Sequence, residues 1–205
     1  MKLYDGGRAP NPRRVQIFLK EKGIEIERVQ LKINEHEQKS AQFTAINPMQ
    51  TLPVLELDDG THLSESVAIC RYFEETVPEP PLMGRDPLEK AMVEMWQRRV
   101  ELYLFMPVAF AFRHLHPGAK VLEPEQVAQW GELNQGRAVK FMGFLNAELG
   151  ERSHICGDSF SIADITALTA CQFLKPARLS IADEHSHLRE WYERIAARPS
   201  AGFDP

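Results

Sequence analysis

Asn47-Pro48-Met49-Gln50-Thr51-Leu52-Pro53-Val54-Leu55-Glu56-Leu57-Asp58-Asp59-Gly60 is the stretch that decides the fold. Asn47-Pro48 is a turn signal, residues 52–57 form an apolar run of strand length, and Asp58-Asp59-Gly60 closes it as a hairpin turn does. A second short run, Thr61-His62-Leu63, leads through Ser64-Glu65-Ser66 into a helix with a broad apolar face of Val67, Ala68, Ile69, Cys70, Tyr72 and Phe73. The order is turn, strand, turn, strand, helix. Pro53 has no N–H for a sheet, which confines it to a strand start, an edge or a bulge. A cis Leu52-Pro53 bond meets that constraint and leaves the Leu52 N–H and C=O to pair with an extended peptide. Ser66, at a helix start, sets a hydroxyl among unpaired backbone N–H groups, which suits a carboxylate. Glu65 beside it attracts an ammonium. A carboxylate next to an ammonium is the signature of an amino acid's α-carbon, and a peptide-pairing backbone stands a few residues away.

These residues resemble a known family. Asn47-Pro48 to Leu52-Pro53-Val54-Leu55, followed by Glu65-Ser66-x-Ala68-Ile69-x-Arg71-Tyr72, is similar to the glutathione-binding half of the soluble glutathione S-transferases. The resemblance implies that Leu52, ahead of Pro53, pairs with the cysteinyl part of glutathione and that Glu65 and Ser66 hold its γ-glutamyl end. It also implies that Gln50 and Gln38 contact the glycine end, with Thr51 serving the same carboxylate. Glutathione is then a co-substrate, and the assembly a homodimer in which the first domain of one subunit packs on the second domain of the other.

Toward the N-terminus, Lys2-Leu3-Tyr4-Asp5 is a short strand ended by Gly6-Gly7. Val15, Ile17, Phe18 and Leu19 then give a helical face that stops at Gly23, with Asn11 placed as N-cap and Pro12 as the first helical residue. Residues 24–31 read as the next strand, so the opening βαβ unit is parallel and right-handed. Residues 35–45 are polar and read as a short helix or loop. The first domain, 1–80, is therefore βαβα-ββα, a thioredoxin-like α/β arrangement.

The proline-rich segment 79–87 reads as a linker, and beyond it no strand is expected. Residues 88–116 read as a long helical stretch that Pro107 should kink or break. A second helix is expected from near Pro124 to Gly150. Ser161-Ile162-Ala163-Asp164 opens a third like a capping box, and the nearly all-apolar run that follows marks it as central and buried. Residues 188–198 resemble the family's last helix, and the second domain, 88–205, is expected to be all-helical. The run from Gly157 to Ile165 is again similar to the family's second domain, so the resemblance spans almost the whole chain.

The chain has 205 residues, enough for one large or two small domains, and a net charge of −5 without long single-sign runs. Nothing in it is a basic footprint for nucleic acid. No apolar run approaches the roughly 18 residues of a membrane span, and there is no basic-then-apolar leader pattern, so a cytoplasmic protein without membrane attachment is expected. Cys70, Cys156 and Cys171 lack the spacing of a disulfide framework or a zinc site, and read as buried, inert thiols; no metal is expected.

Thioredoxin-like domains keep their chemistry at the first strand-to-helix turn, where a helix N-terminus stabilises a thiolate. Here that turn is Ala9-Pro10-Asn11-Pro12. No cysteine occupies it, which excludes dithiol exchange through the protein's own sulfur. Serine-type and cysteine-type family members carry a hydroxyl or a thiol in the place of Ala9, whereas some bacterial members are similar to this chain in having an Asn-containing turn. Asn11 is the remaining catalytic candidate: its NH₂ can donate to the glutathione sulfur, and the alternative is a pure N-cap. Tyr4 is a hydroxyl set back inside the strand, and Arg8, Arg13 and Arg14 read as surface charges rather than sulfur-activating groups, with Arg14 at the helix start alternatively a brace for the inter-domain contact. Tyr103, Met106, Phe110 and Arg113 recur every three to four residues, as a wall for an apolar electrophile or as core. Three functions stay open: a glutathione transferase, a glutathione-dependent disulfide reductase, and a non-catalytic interaction module on the same fold.

Overall fold

A computed structural model describes residues 1–202, so residues 203–205 of the expected second domain lie outside the described residues. Two compact units, Met1–Leu82 and Met83–Gly202, account for the described chain. In the first, β1 (Lys2–Asp5), α1 (Pro10–Glu21), β2 (Glu27–Gln30), α2 (Ala41–Ile46), β3 (Val54–Glu56), β4 (His62–Ser64) and α3 (Ser66–Thr76) follow the expected βαβα-ββα order. The sheet order is β2-β1-β3-β4, with β1 and β2 parallel and the other pairs antiparallel. Alternation along the strands splits the core in two. Tyr4 and Val54 pair on one face and join Leu31, Phe43 and Leu52 in a buried cluster. Leu3 and Leu55 pair on the other face, and both are fully buried. The helices α1 and α3 pack on each other.

Several boundaries differ from the sequence reading for identifiable reasons. The strand expected over 24–31 is only Glu27–Gln30, because the Ile24 N–H donates to the Leu19 carbonyl at 2.9 Å and so belongs to the exit from α1. α1 starts at Pro10 rather than Pro12, with Ala9 as N-cap and no side-chain cap bond. A proline at the first helical position needs no N–H, and its fixed φ already suits the helix. Asn11 is therefore not the cap. Arg13 and Arg14 are not surface charges either, since both are almost completely buried.

The second unit contains α4 (Pro87–Val100), α5 (Met106–Leu115), α6 (Ala128–Leu149), α7 (Ile162–Gln172) and α8 (Ser186–Ala196). Pro107 does not break the long stretch. Instead a π-helical turn, Glu101–Phe105, joins α4 to α5 and carries the carbonyl four residues before the proline, which a proline has no N–H to engage. α6 begins after the expected Pro124, because the preceding residues close α5: Gln126 Nε2 donates to the Arg113 and His116 carbonyls at 2.7 and 2.8 Å. His114 and His116 are half-buried, and each accepts a backbone N–H at Nδ1, from Val127 and Gly118 respectively.

The central helix α7 is buried along almost its whole length and opens with a reciprocal capping box between Ser161 and Asp164. Burial raises the Asp164 carboxyl above the ordinary carboxylate range, while the Ile155 N–H and the Trp191 indole N–H, each 3.0 Å from Oδ1, pull the other way. Cys70 and Cys171 are buried and burial pushes both thiols up to about 12; Cys156 is half-buried and also raised. None of the three is disposed to ionise near neutral pH.

Candidate active site

The first unit brings two of the expected ligand elements together through one buried arginine. Arg14, in the second turn of α1, donates from Nη1 to Ser66 Oγ at 2.7 Å and to Asn11 Oδ1 at 3.3 Å. Ser66, the first residue of α3, also donates from Oγ to Asn11 Oδ1 at 3.4 Å. The heads of α1 and α3 are thus tied at one point, with Arg14 and Ser66 buried and Asn11 exposed. The tie from Arg14 to Asn11 and Ser66 was missed in the sequence. The i,i+3 spacing of Arg14 from Asn11 was the available signal.

The N-terminus of α1 is poorer in donors than a helix usually is. Pro10 and Pro12 have no N–H, and the Arg13 N–H donates to the Ala9 carbonyl at 3.0 Å. What faces an anion here is the Asn11 backbone N–H and the Asn11 side-chain NH₂, neither engaged by a hydrogen bond among the described residues. Tyr4 does not compete for that place, because its hydroxyl donates to Glu56 Oε2 at 2.8 Å.

The Leu52-Pro53 bond is cis. No hydrogen bond engages the Leu52 N–H or C=O among the described residues, since the β3 pairing begins at Val54. The approach to Leu52 is fixed by Asn47, a second residue whose role the sequence did not reveal. Asn47 is buried, accepts the Met49 N–H at Oδ1 at 3.1 Å, and donates from Nδ2 to the Thr51 carbonyl at 2.9 Å and the Thr51 hydroxyl at 3.2 Å. Gln50 sits at φ 55° inside this turn, and its side-chain NH₂ donates to Thr44 Oγ1 at 3.0 Å. Gln38 is buried in a short 3₁₀ turn, and among the described residues its Oε1 has no hydrogen-bond partner and no bond joins it to the residues around Leu52.

Glu65 is held at φ 69°, a region that disfavours a side chain, and its carboxylate is exposed without a hydrogen bond among the described residues. Its own carbonyl accepts the Ile69 N–H at 3.0 Å, so the α3 helix starts directly behind it. Backbone held in such a region is of order 1–3 kcal/mol less favourable and persists where the surroundings over-determine it. An unpaired acid, a buried hydroxyl and an unpaired peptide edge therefore lie within one segment.

In the second unit, Tyr103, Met106 and Phe110 line a groove of 770 Å³ together with Leu102, Phe141 and Phe144. Arg99, Arg137 and Lys140 add positive charge to its walls, and among the described residues no carboxylate lines it. Arg113 does not join the other three stripe residues on this groove: it lies 3.7 Å from Glu123 in an ion pair. Among the described residues, no group of three or more His, Cys, Asp or Glu is placed to hold a metal ion, and no helix is long and apolar enough to cross a membrane.

Comparison with known proteins adds the decisive observation. The family described as "Glutathione S-transferase, N-terminal domain" matches residues 9–76, and "Glutathione S-transferase, C-terminal domain" matches residues 128–194. The chain belongs to the glutathione S-transferase family. It is 38% identical over 203 residues to Glutathione S-transferase 2 of Saccharomyces cerevisiae, an alignment covering 98% of this chain and 87% of that protein. A crystal structure of a glutathione S-transferase domain-containing protein from Marinobacter aquaeolei is similar with a TM-score of 0.95 at 38% identity, covering 98% of this chain and 100% of the other. A class Gtt2 glutathione S-transferase of Vibrio parahaemolyticus gives a TM-score of 0.86 at 37% identity, over 98% and 95% of the two chains. Within this family the first unit carries the thioredoxin-like domain and the second unit the helical one.

Proposed function

We infer that the protein is a glutathione transferase that binds glutathione on its first unit, holds the sulfur as thiolate beside Asn11, and lets it attack an apolar electrophile. The observation that carries the site assignment is a set of unsatisfied groups: the Leu52 peptide edge and the Glu65 carboxylate in one segment, and the Asn11 donors, tied to that segment through Ser66. Each matches a part of the tripeptide. Leu52, next to Pro53, pairs with the cysteinyl backbone; Glu65 takes the γ-glutamyl ammonium; Ser66 takes its carboxylate; Gln50, Thr51 and Gln38 serve the glycine end. The thiol proton leaves to solvent, and the thiolate is favoured because Asn11 N–H groups donate to the anion more strongly than to the thiol. In the conjugation step the sulfur lone pair forms a C–S bond, and the leaving group departs with its bonding pair. Positioning supplies the rest of the acceleration.

Ala9 in place of a hydroxyl or thiol favours a second reaction of the same thiolate, attack on a disulfide with release of one thiolate half. The deciding experiment measures glutathione affinity, then conjugation of a chlorinated nitroaromatic and reduction of hydroxyethyl disulfide side by side. Conjugation is expected to dominate. Reduction without conjugation would select the second reading, and no binding at millimolar glutathione would overturn both.

Tyr103, Met106 and Phe110 serve the apolar electrophile in this reading, and the groove they line supports it. A homodimer is part of the same reading: Leu102 and Tyr103 are 47% and 57% exposed, an apolar rim that favours cover by a second subunit. Tyr103→Glu should shift sedimentation toward monomer; a substitution that leaves the dimer intact while lowering conjugation would assign the groove to substrate alone. A bacterial origin is supported by the relatives from Marinobacter and Vibrio, and a cytoplasmic location by the three free thiols.

A further inference from the structure

We propose that Arg14 is a positioning residue that fixes the Asn11 side-chain amide with its NH₂ edge turned toward the glutathione sulfur. The inference rests on the reading that Asn11 holds the thiolate. Two donors converge on one atom: Arg14 Nη1 at 3.3 Å and Ser66 Oγ at 3.4 Å both point at Asn11 Oδ1. Rotating the amide by half a turn would set its NH₂ against a guanidinium N–H, donor against donor; the Ser66 hydroxyl can donate or accept, so the guanidinium decides the orientation. The oxygen is therefore kept inward and Nδ2 outward, on the exposed side of the residue.

Exposure separates the two roles. Arg14 is 1% exposed, so it acts through its neighbours, whereas Asn11 is at the surface beside its own free backbone N–H. The bond from Arg14 to Ser66 Oγ, at 2.7 Å, leaves the hydroxyl proton of Ser66 available to a ligand carboxylate or to Asn11. One guanidinium thus orders both the group that meets the sulfur and the group that meets the γ-glutamyl carboxylate. The charged group in contact with the amide is Arg14 on its own helix; from α3 the contact is the neutral Ser66.

The test follows the bound thiol by difference absorbance against pH in four proteins: the parent, Arg14→Lys, Asn11→Ala, and the double variant. Arg14→Lys keeps the charge and loses the planar fork of donors. It should raise the bound thiol's pKa by about one unit, as Asn11→Ala does, and the double variant should be no worse than Asn11→Ala alone. An unchanged titration in Arg14→Lys, or shifts that add in the double variant, would overturn the positioning role while leaving Asn11 as the activating group. An unchanged titration in Asn11→Ala would remove the underlying reading as well. Should Arg14→Lys not fold, Asn11→Asp replaces it. That variant keeps an oxygen toward Arg14 and sets a carboxylate oxygen where NH₂ stood, so the thiol pKa should rise beyond the Asn11→Ala value. A pKa equal to or below that of Asn11→Ala overturns the proposal.

Discussion

The Lys22 ammonium stands 2.8 Å from the Glu74 carboxylate with both side chains shut away from solvent. The same ammonium donates to the Val77 and Pro80 carbonyls at 2.7 and 2.8 Å, and the carboxylate accepts the Leu82 N–H at 3.3 Å. A helix end, a helix and the segment that closes the first unit are thereby gathered on one ion pair. Removing one partner of such a pair leaves an uncompensated buried charge, so Lys22→Met should destabilise the first unit by about 3–5 kcal/mol. Adding Glu74→Gln should restore part of the loss. Chemical denaturation of the parent and both variants checks this, and a loss in Lys22→Met no larger than that of a surface substitution refutes it.

Glu65 stands at φ 69° and carries the proposed ammonium contact, so stability and binding should part company there. Glu65→Gly relieves a backbone conformation that glycine tolerates and should stabilise the free protein by about 1 kcal/mol. The same change removes a charge-assisted bond of about 1.5–3 kcal/mol, which weakens glutathione binding roughly ten- to a hundredfold. Calorimetry and thermal unfolding of the same preparation report both halves. Affinity unchanged in Glu65→Gly rejects the assignment.

Burial raises the Asp5 carboxyl above the ordinary carboxylate range, against the pull of the Gly7 N–H, the Gln16 amide and Arg28. A carboxyl raised in the folded state binds its proton more tightly there than in the unfolded chain. Its contribution to stability is therefore complete below the unfolded value of about 3.9 and is lost as pH rises through the higher folded value. In Asp5→Asn that dependence is gone. The stability of the parent relative to the variant should be greatest at about pH 4 and below and should shrink at higher pH, as read from unfolding curves at a series of pH values. A difference that grows with pH would contradict the sign.

Asp164 accepts from the Ile155 and Ser161 N–H groups, the Ser161 hydroxyl and the Trp191 indole at 3.0–3.1 Å. Asparagine offers one oxygen where two stood and turns an NH₂ toward donors. Asp164→Asn should destabilise the second unit by about 3 kcal/mol. Tryptophan emission during denaturation is a direct readout, because Trp191 is one of the affected partners; an unshifted midpoint counts against the account.

The alternation of strands and helices was legible because Pro53, Asp58-Asp59-Gly60 and Gly23 punctuate the chain through local backbone preferences. Glu65 and Ser66 were legible for the same reason, as residues at the head of an apolar helix. Arg14 was not, because an arginine reads as surface until the partner that makes its burial tolerable is known, and Ser66 is far away in sequence. Asn11 was misplaced by one local ambiguity: two prolines flank it and either can open a helix, and Pro10 does so. Asn47 was recognised as a turn residue, but its grip on Thr51 depends on the side chain being buried, which only the packed domain supplies.

The turn at Glu101–Phe105 sets a frame for everything that follows it. A π-helical turn holds one residue more than an ordinary one, so each later side chain is rotated by roughly 100° from where an uninterrupted helix would put it. Straightening that turn with no residue lost would carry Met106 and Phe110 about 100° off the groove, whereas losing one residue from it would leave an ordinary helical turn with both in place. What the groove accepts is therefore tied to one surplus residue in the helix as well as to the side chains that line it.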